Sequence, residues 1–118
     1  MLKNIIGHFG ENVACTYLQT KNYQIIERNY RLGRLELDII AKKDGQFFLF
    51  EIKTRRYYQA GTNEALISRA QIANLKKAAR RYAAKFQLNF SLIHFDLILI
   101  IISQQQDSVK LKHYQNIF

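Results

Sequence analysis

The chain has 118 residues, 48% of them hydrophobic, and 18 Lys and Arg against 9 Asp and Glu, a net charge of +9. That length suits one domain over 1–118 with a core of its own, and no apolar run approaches the ~18 residues of a membrane-spanning helix. The lone Cys15 excludes an internal disulfide and fits a reducing cytoplasm, while the positive excess favours a polyanionic partner over a membrane.

In chain order, Met1-Leu2-Lys3-Asn4 soon meets His8 and Glu11 and lacks the apolar core and cleavage site of a signal peptide. Lys3 to Thr20 reads as a helix, with Ile5, Phe9, Val13 and Tyr17 recurring every four residues as its expected buried stripe. Tyr23 to Asn29 reads as a short strand. Leu35 to Ala41 alternates Leu35, Leu37 and Ile39 against Glu36 and Asp38, the pattern of a half-polar strand. Asp44-Gly45 is a two-residue hairpin turn, and Gln46 to Lys53 is its partner strand, apolar until Glu51 and so expected at the sheet centre. Arg55 to Ile67 reads as a loop with Gly61 and Asn63 as its flexible points. Ser68-x-x-Gln71 is a capping box, and Ile72, Leu75, Ala79, Tyr82 and Phe86 mark the buried stripe of the helix it starts. Ser91 to Ile102 reads as a long buried strand, Ser103 to Ser108 as a turn, and Val109 to Tyr114 as an edge strand. The expected fold is α/β, a mixed central sheet flanked by helices in the order α-β-β-β-α-β-β.

The hairpin carries the chemistry. If Asp44-Gly45 fills the turn, Lys43 pairs with Gln46, Asp38 falls opposite Glu51, and Glu36 falls opposite Lys53. Opposed residues share a face with Cβ atoms ~5 Å apart. Glu36, Asp38, Glu51 and Lys53 then form one polar cluster against apolar Ile40, Leu49 and Phe47. Facing carboxylates destabilise a sheet unless a hard divalent cation, Mg²⁺ or Mn²⁺, sits between them. On geometry alone two readings stand: a metal site at Asp38 and Glu51, or a Glu36–Lys53 ion pair beside a solvated strand end.

The second helix presents Arg69, Lys76, Lys77, Arg80, Arg81 and Lys85 opposite its apolar stripe. Arg55, Arg56, Tyr57 and Tyr58 follow the Glu-x-Lys strand. Together they suit phosphate tracking, with the tyrosines as stacking surfaces or packing residues. Asp96, in an apolar strand, needs a partner; His94 or a loop amide would serve, and a structural role is favoured. His8, His94, His113 and Cys15 lack zinc spacing, and no Gly-rich phosphate loop or nucleophile elbow occurs.

Glu36-Leu37-Asp38 followed by Phe50-Glu51-Ile52-Lys53-Thr54-Arg55 resembles the YraN/UPF0102 family of small bacterial proteins. Gly10-Glu11, Ala14, Tyr17-Leu18, Arg28-Asn29, Gly61, Ala78-Ala79, Tyr82, Phe95-Asp96, Asn116 and Phe118 extend the likeness. The resemblance implies a restriction-endonuclease-like, PD-(D/E)XK fold near archaeal Holliday-junction resolvases, and Mg²⁺- or Mn²⁺-dependent cleavage of DNA. It implies Asp38 and Glu51 as metal ligands and Lys53 as the group that orients water or offsets phosphate charge. Glu11 becomes a further acid of the site, with Glu36 beside it. The chain departs from the pattern at Leu35, at Gln71 (where the family usually has Lys) and at His94 (where it usually has Arg). The implied partner is nucleic acid, DNA rather than RNA, contacted by Arg55, Arg56, Tyr57, Gln71, Lys76, Lys77, Arg80 and Arg81. A homodimer follows by analogy with junction-cleaving enzymes. Two other classes fit the same residues: a non-catalytic nucleic-acid-binding module, and a basic protein that docks on an acidic protein or ribosomal RNA.

Overall fold

A computed structural model of the chain describes residues 2–56, 67–103 and 105–118. Helix α1 (Leu2–Thr20) leads into strands β1 (Gln24–Leu32), β2 (Leu35–Lys43) and β3 (Gln46–Arg56); helix α2 (Arg69–Lys85), a short 3₁₀ turn (Phe90–Leu92), β4 (His94–Ser103) and β5 (Ser108–Tyr114) follow. The strands form one mixed sheet in the order β1-β2-β3-β4-β5. Neighbours are antiparallel except β3 and β4, which run parallel. A parallel pair needs a crossover, and α2 lies on the connection that makes it. The expected order α-β-β-β-α-β-β and the central place of β3 are what the structure has.

The β2–β3 turn is as read from the sequence. Asp44 and Gly45 both have positive φ, 51° and 76°, and Lys43 pairs with Gln46. Two consecutive positive φ values match the twist of the flanking strands, which is why Asp-Gly seeds this turn. The capping box also forms: the Ser68 hydroxyl accepts from the Gln71 amide N–H, and the Gln71 side chain accepts from the Ser68 N–H.

Each face of the sheet carries one core. On the α1 side, Ala14 and Leu18 pack with Ile39, Ala41, Phe50 and Ile98. On the α2 side, Leu75, Ala79 and Tyr82 pack with Ile40, Leu49 and Phe95. Leu37 and Ile40, three residues apart, share the α2-side cluster, while Ile39 joins the other. The two-residue alternation of β2 is therefore broken across Asp38.

Five sequence expectations are corrected. The Ile5-Phe9-Val13-Tyr17 stripe is not the buried face of α1: Ile5 is 60% and Phe9 42% exposed, whereas Gly10, Ala14 and Leu18 are buried. Both stripes fit a helical period, and small residues win because they let the helix lie close. A Cβ on Gly10 would overlap the Thr54 hydroxyl of β3. Phe86 is 47% exposed, as it caps α2 rather than continuing it, and Ala78 and Ala83 complete the buried face. The long strand begins at His94, not Ser91, because the Asn89 side chain accepts from the Ser91 N–H and starts the 3₁₀ turn. β1 runs past Asn29 to Leu32, and β3 extends through Arg56. Gly61, Asn63, Tyr57 and Tyr58 lie outside the described residues. Among the described residues no helix is long and apolar enough to cross a membrane.

Candidate active site

The β2–β3 ladder runs from Lys43–Gln46 as far as Ile39–Phe50, and there the strands part; β3 continues beside β4 to Arg56–Ile102. Asp38 sits at the fork. Its Oδ2 accepts the Ile52 backbone N–H at 2.9 Å, so a carboxylate takes the place of a strand partner. Glu51, on the neighbouring position of β3, lies close enough to act strongly on it.

Burial pushes the Asp38 carboxyl up to about 7 from its ordinary 3.8, and the Glu51 carboxylate, through its charge and a hydrogen bond, pushes the same way. The Ile52 N–H pulls it down, and Glu11 of α1 adds a further upward push. Glu51 of β3 and Glu11 of α1 therefore both act on Asp38 at the fork. Glu11 Oε2 is buried with no hydrogen-bond partner among the described residues. Gly10, next to it, sets how closely the helix approaches β3.

Lys53 Nζ is 3.4 Å from Glu51 Oε1, and both side chains are largely buried, 12% and 16% exposed. The expected cross-strand pair Glu36–Lys53 does not form, since the strands have already parted. Glu36 instead lies 3.7 Å from Arg31 of β1, with 36% of its side chain exposed. It remains near the site, because Glu36 and Glu51 line the same pocket. That pocket, of about 190 Å³, lies between the β1–β2 turn and the first turns of α2, and Arg34, Leu35, Gln71 and Asn74 also line it.

The donor set suits a hard divalent cation. The acids present oxygen atoms only, one of those oxygens is buried and unsatisfied, and the fork holds more negative charge than Lys53 alone offsets. Among the described residues no group of three or more His, Cys, Asp or Glu side chains is placed to hold a metal ion. Asp38 and Glu51 are thus the pair that could hold it, with Glu11 near.

The expected phosphate-contacting residues divide. Arg55 donates to the Thr54 carbonyl at 3.0 Å and is half-buried beyond Lys53 on β3. Arg56 ends the strand, and Tyr57 lies outside the described residues. On α2, Lys77, Arg80 and Arg81 are exposed, but Arg80 packs over the Phe90 ring at 4.9 Å and Lys76 over Phe118 at 5.0 Å. Part of the basic face therefore packs on aromatic rings rather than standing free. Gln71 lines the pocket beside Glu51 while also closing its capping box.

Asp96 is buried, as expected of a structural acid, but its partner is His113 of β5 rather than His94. Its Oδ2 is 2.7 Å from His113 Nε2, and Oδ1 accepts the Asn116 N–H at 3.0 Å, the loop amide foreseen. His113 Nδ1 meets the Tyr17 hydroxyl at 2.9 Å, tying α1 to the far strand. His94 is held by Gln46 and Asn116 instead. Sequence reasoning missed Arg34 and Asn74. The signal for Arg34 was there: Leu32-Gly33-Arg34-Leu35 is a two-residue hairpin, with Gly33 at φ 65°.

The model of UPF0102, described as an uncharacterised protein family, matches residues 10–100. That span holds Glu11, Asp38, Glu51 and Lys53. A UPF0102 protein of Syntrophomonas wolfei is 36% identical over 113 residues, 96% of this chain and 96% of its own. One from Christiangramia forsetii is 36% identical over 115 residues, 98% of this chain and 94% of its own. A third, from Dictyoglomus turgidum, is 33% identical over 113 residues, 96% of each.

Proposed function

Because the chain belongs to UPF0102, an uncharacterised protein family whose relatives align with nearly all of it, we propose what that family name leaves open: a divalent-metal-dependent endonuclease acting on DNA, including branched or repair intermediates, by phosphodiester hydrolysis. The observation that carries this is the fork itself. Glu51 acts on Asp38 through charge and a hydrogen bond where β2 and β3 part, Glu11 adds its charge and has a buried oxygen with no hydrogen-bond partner among the described residues, and Lys53 stands 3.4 Å from Glu51. Uncompensated acids with one adjacent ammonium, in a chain of net charge +9, suit a cation and a polyanion together.

Asp38 and Glu51 would hold Mg²⁺ or Mn²⁺, with Glu11 as a further oxygen donor. Bound there, the cation supplies Lewis-acid activation of water and neutralises phosphate charge. Lys53 orients the attacking water and offsets charge that builds on the phosphate. The Ile52 N–H fixes the Asp38 carboxylate in place, and Gly10 lets α1 bring Glu11 near. Arg55, Arg56, Arg81 and Lys77 would track the backbone. A cytoplasmic setting suits the buried free Cys15.

The test is cleavage of single-stranded, duplex and four-way-junction DNA with Mg²⁺ or Mn²⁺, wild type beside Asp38→Asn and Lys53→Ala. Metal-dependent cutting lost in both variants is expected. Cutting that survives Asp38→Asn in a clean preparation would overturn the site. Salt-dependent binding with no cleavage on any substrate would leave a binding module on this fold.

A further inference from the structure

The pocket beside Glu51 has a charge pattern that the proposed chemistry does not use. Two of its lining residues are carboxylates, and each already has a cation: Glu36 lies 3.7 Å from Arg31 and Glu51 3.4 Å from Lys53. The third charged lining residue is Arg34, which makes no ion pair, hydrogen bond or ring contact among the described residues. Of the three charged lining residues, the one with no ion-pair partner among the described residues is therefore a guanidinium.

The amides around it add donors of the same kind. The Gln71 carbonyl oxygen is committed to the Ser68 N–H, which leaves its NH₂ group to donate. Asn74, one turn further along α2, lines the same pocket. A second guanidinium approaches the turn from α2: Arg81 Nη1 would lie 3.7 Å from a Cβ at Gly33. Arg34 owes its position to Gly33, whose φ of 65° a side chain would strain. A guanidinium fork with spare amide donors is the arrangement that grips a phosphate through two parallel hydrogen bonds.

We propose that this pocket seats a backbone phosphate of the nucleic-acid substrate next to the scissile one, with Arg34 as its clamp and Gln71 and Asn74 as supporting donors. The assignment rests on the nuclease reading of the Asp38–Glu51 fork, since it takes that fork as the place where the scissile phosphate sits. Arg34 acts on substrate register and affinity, not on the cation. It also gives the β1–β2 turn a role distinct from that of the basic face of α2.

The experiment measures binding of fluorescein-labelled duplex and four-way-junction DNA by anisotropy in EDTA across a series of salt concentrations. Wild type, Arg34→Gln, Arg34→Lys and Lys21→Gln are compared; the last removes one exposed charge beyond α1 and away from the pocket. Equal melting temperatures establish that the turn variants fold. Arg34→Gln is expected to weaken binding about tenfold and to reduce the slope of log K against log salt by about one. Arg34→Lys keeps the slope but not the full affinity, because an ammonium lacks the fork. Calorimetric Mn²⁺ titration is expected to give the same affinity in wild type and Arg34→Gln. Wild-type binding with no effect of Arg34→Gln beyond that of Lys21→Gln overturns the subsite and leaves the nuclease reading standing. A changed sequence preference at unchanged slope overturns the phosphate assignment in favour of a base contact. A wild type that binds no DNA at any salt concentration overturns the functional reading itself, and this inference with it.

Discussion

Asp38 is held in surroundings far from those water would give it. An acid whose pKa rises from 3.8 to about 7 on folding binds more protons in the native state than in the unfolded chain between those two values. Its contribution to stability is thus greatest below about pH 4, is lost as pH rises towards 7, and stays lost above. Asp38→Asn removes the charge while its carbonyl can still accept the Ile52 N–H. Chemical denaturation at pH 8 is expected to find the variant more stable than wild type, by on the order of a few kcal/mol, with the difference shrinking towards pH 5. A divalent cation should reverse the order. Millimolar Mn²⁺ at pH 8 is expected to raise the melting temperature of wild type and leave Asp38→Asn unmoved, as binding to the native state alone requires. That Asp38 and Glu51 come close could be read from the sequence, because a two-residue turn sets the register as far as Ile39–Phe50, but the expected ladder pairing of the two acids is not made. Lys53 choosing Glu51, and Glu36 choosing Arg31, could not be, since the strands part just beyond Ile39–Phe50.

Among the elements, α1 shows how a pattern can mislead. Its large apolar residues mark one stripe, yet the helix buries the stripe of Gly10, Ala14 and Leu18. Closeness to β3 decides this, because Gly10 lies against Thr54 with no room for a methyl group. Gly10→Ala is expected to cost about 1–3 kcal/mol through overpacking and to weaken the Mn²⁺-induced rise in melting temperature, as Glu11 shifts with the helix. Denaturant melts with and without Mn²⁺ separate the two effects. Helix α2 starts where its sequence says, because its start is chemically local. Ser68→Ala is expected to cost about 1 kcal/mol in the same assay, with no change in the Mn²⁺ response. Asp96 lies between these cases. Its burial and its need of a loop amide were readable from the apolar strand around it, but His113 as its side-chain partner was not, because β5 pairs with β4 only once the sheet has formed.

For the whole molecule, charge is the property that sequence alone supplies. A net charge of +9 on 118 residues is expected to give nucleic-acid binding whose log K falls linearly with log salt. Anisotropy titrations at several salt concentrations check this, and a flat response would remove the polyanion argument for the proposed function. Local chemistry in the sequence determined the Asp44-Gly45 turn, the capping box, the nearness of Asp38 and Glu51, and the order of helices and strands, because each depends on residues close along the chain. Tertiary structure decided which face of α1 is buried, where β2 and β3 part, which cations Glu36 and Glu51 take, and that Arg34 lines the pocket beside Glu51 with no partner among the described residues. Those outcomes depend on residues far apart in the chain competing for the same space and the same charge. The sequence names the competitors, and only packing settles which of them meet.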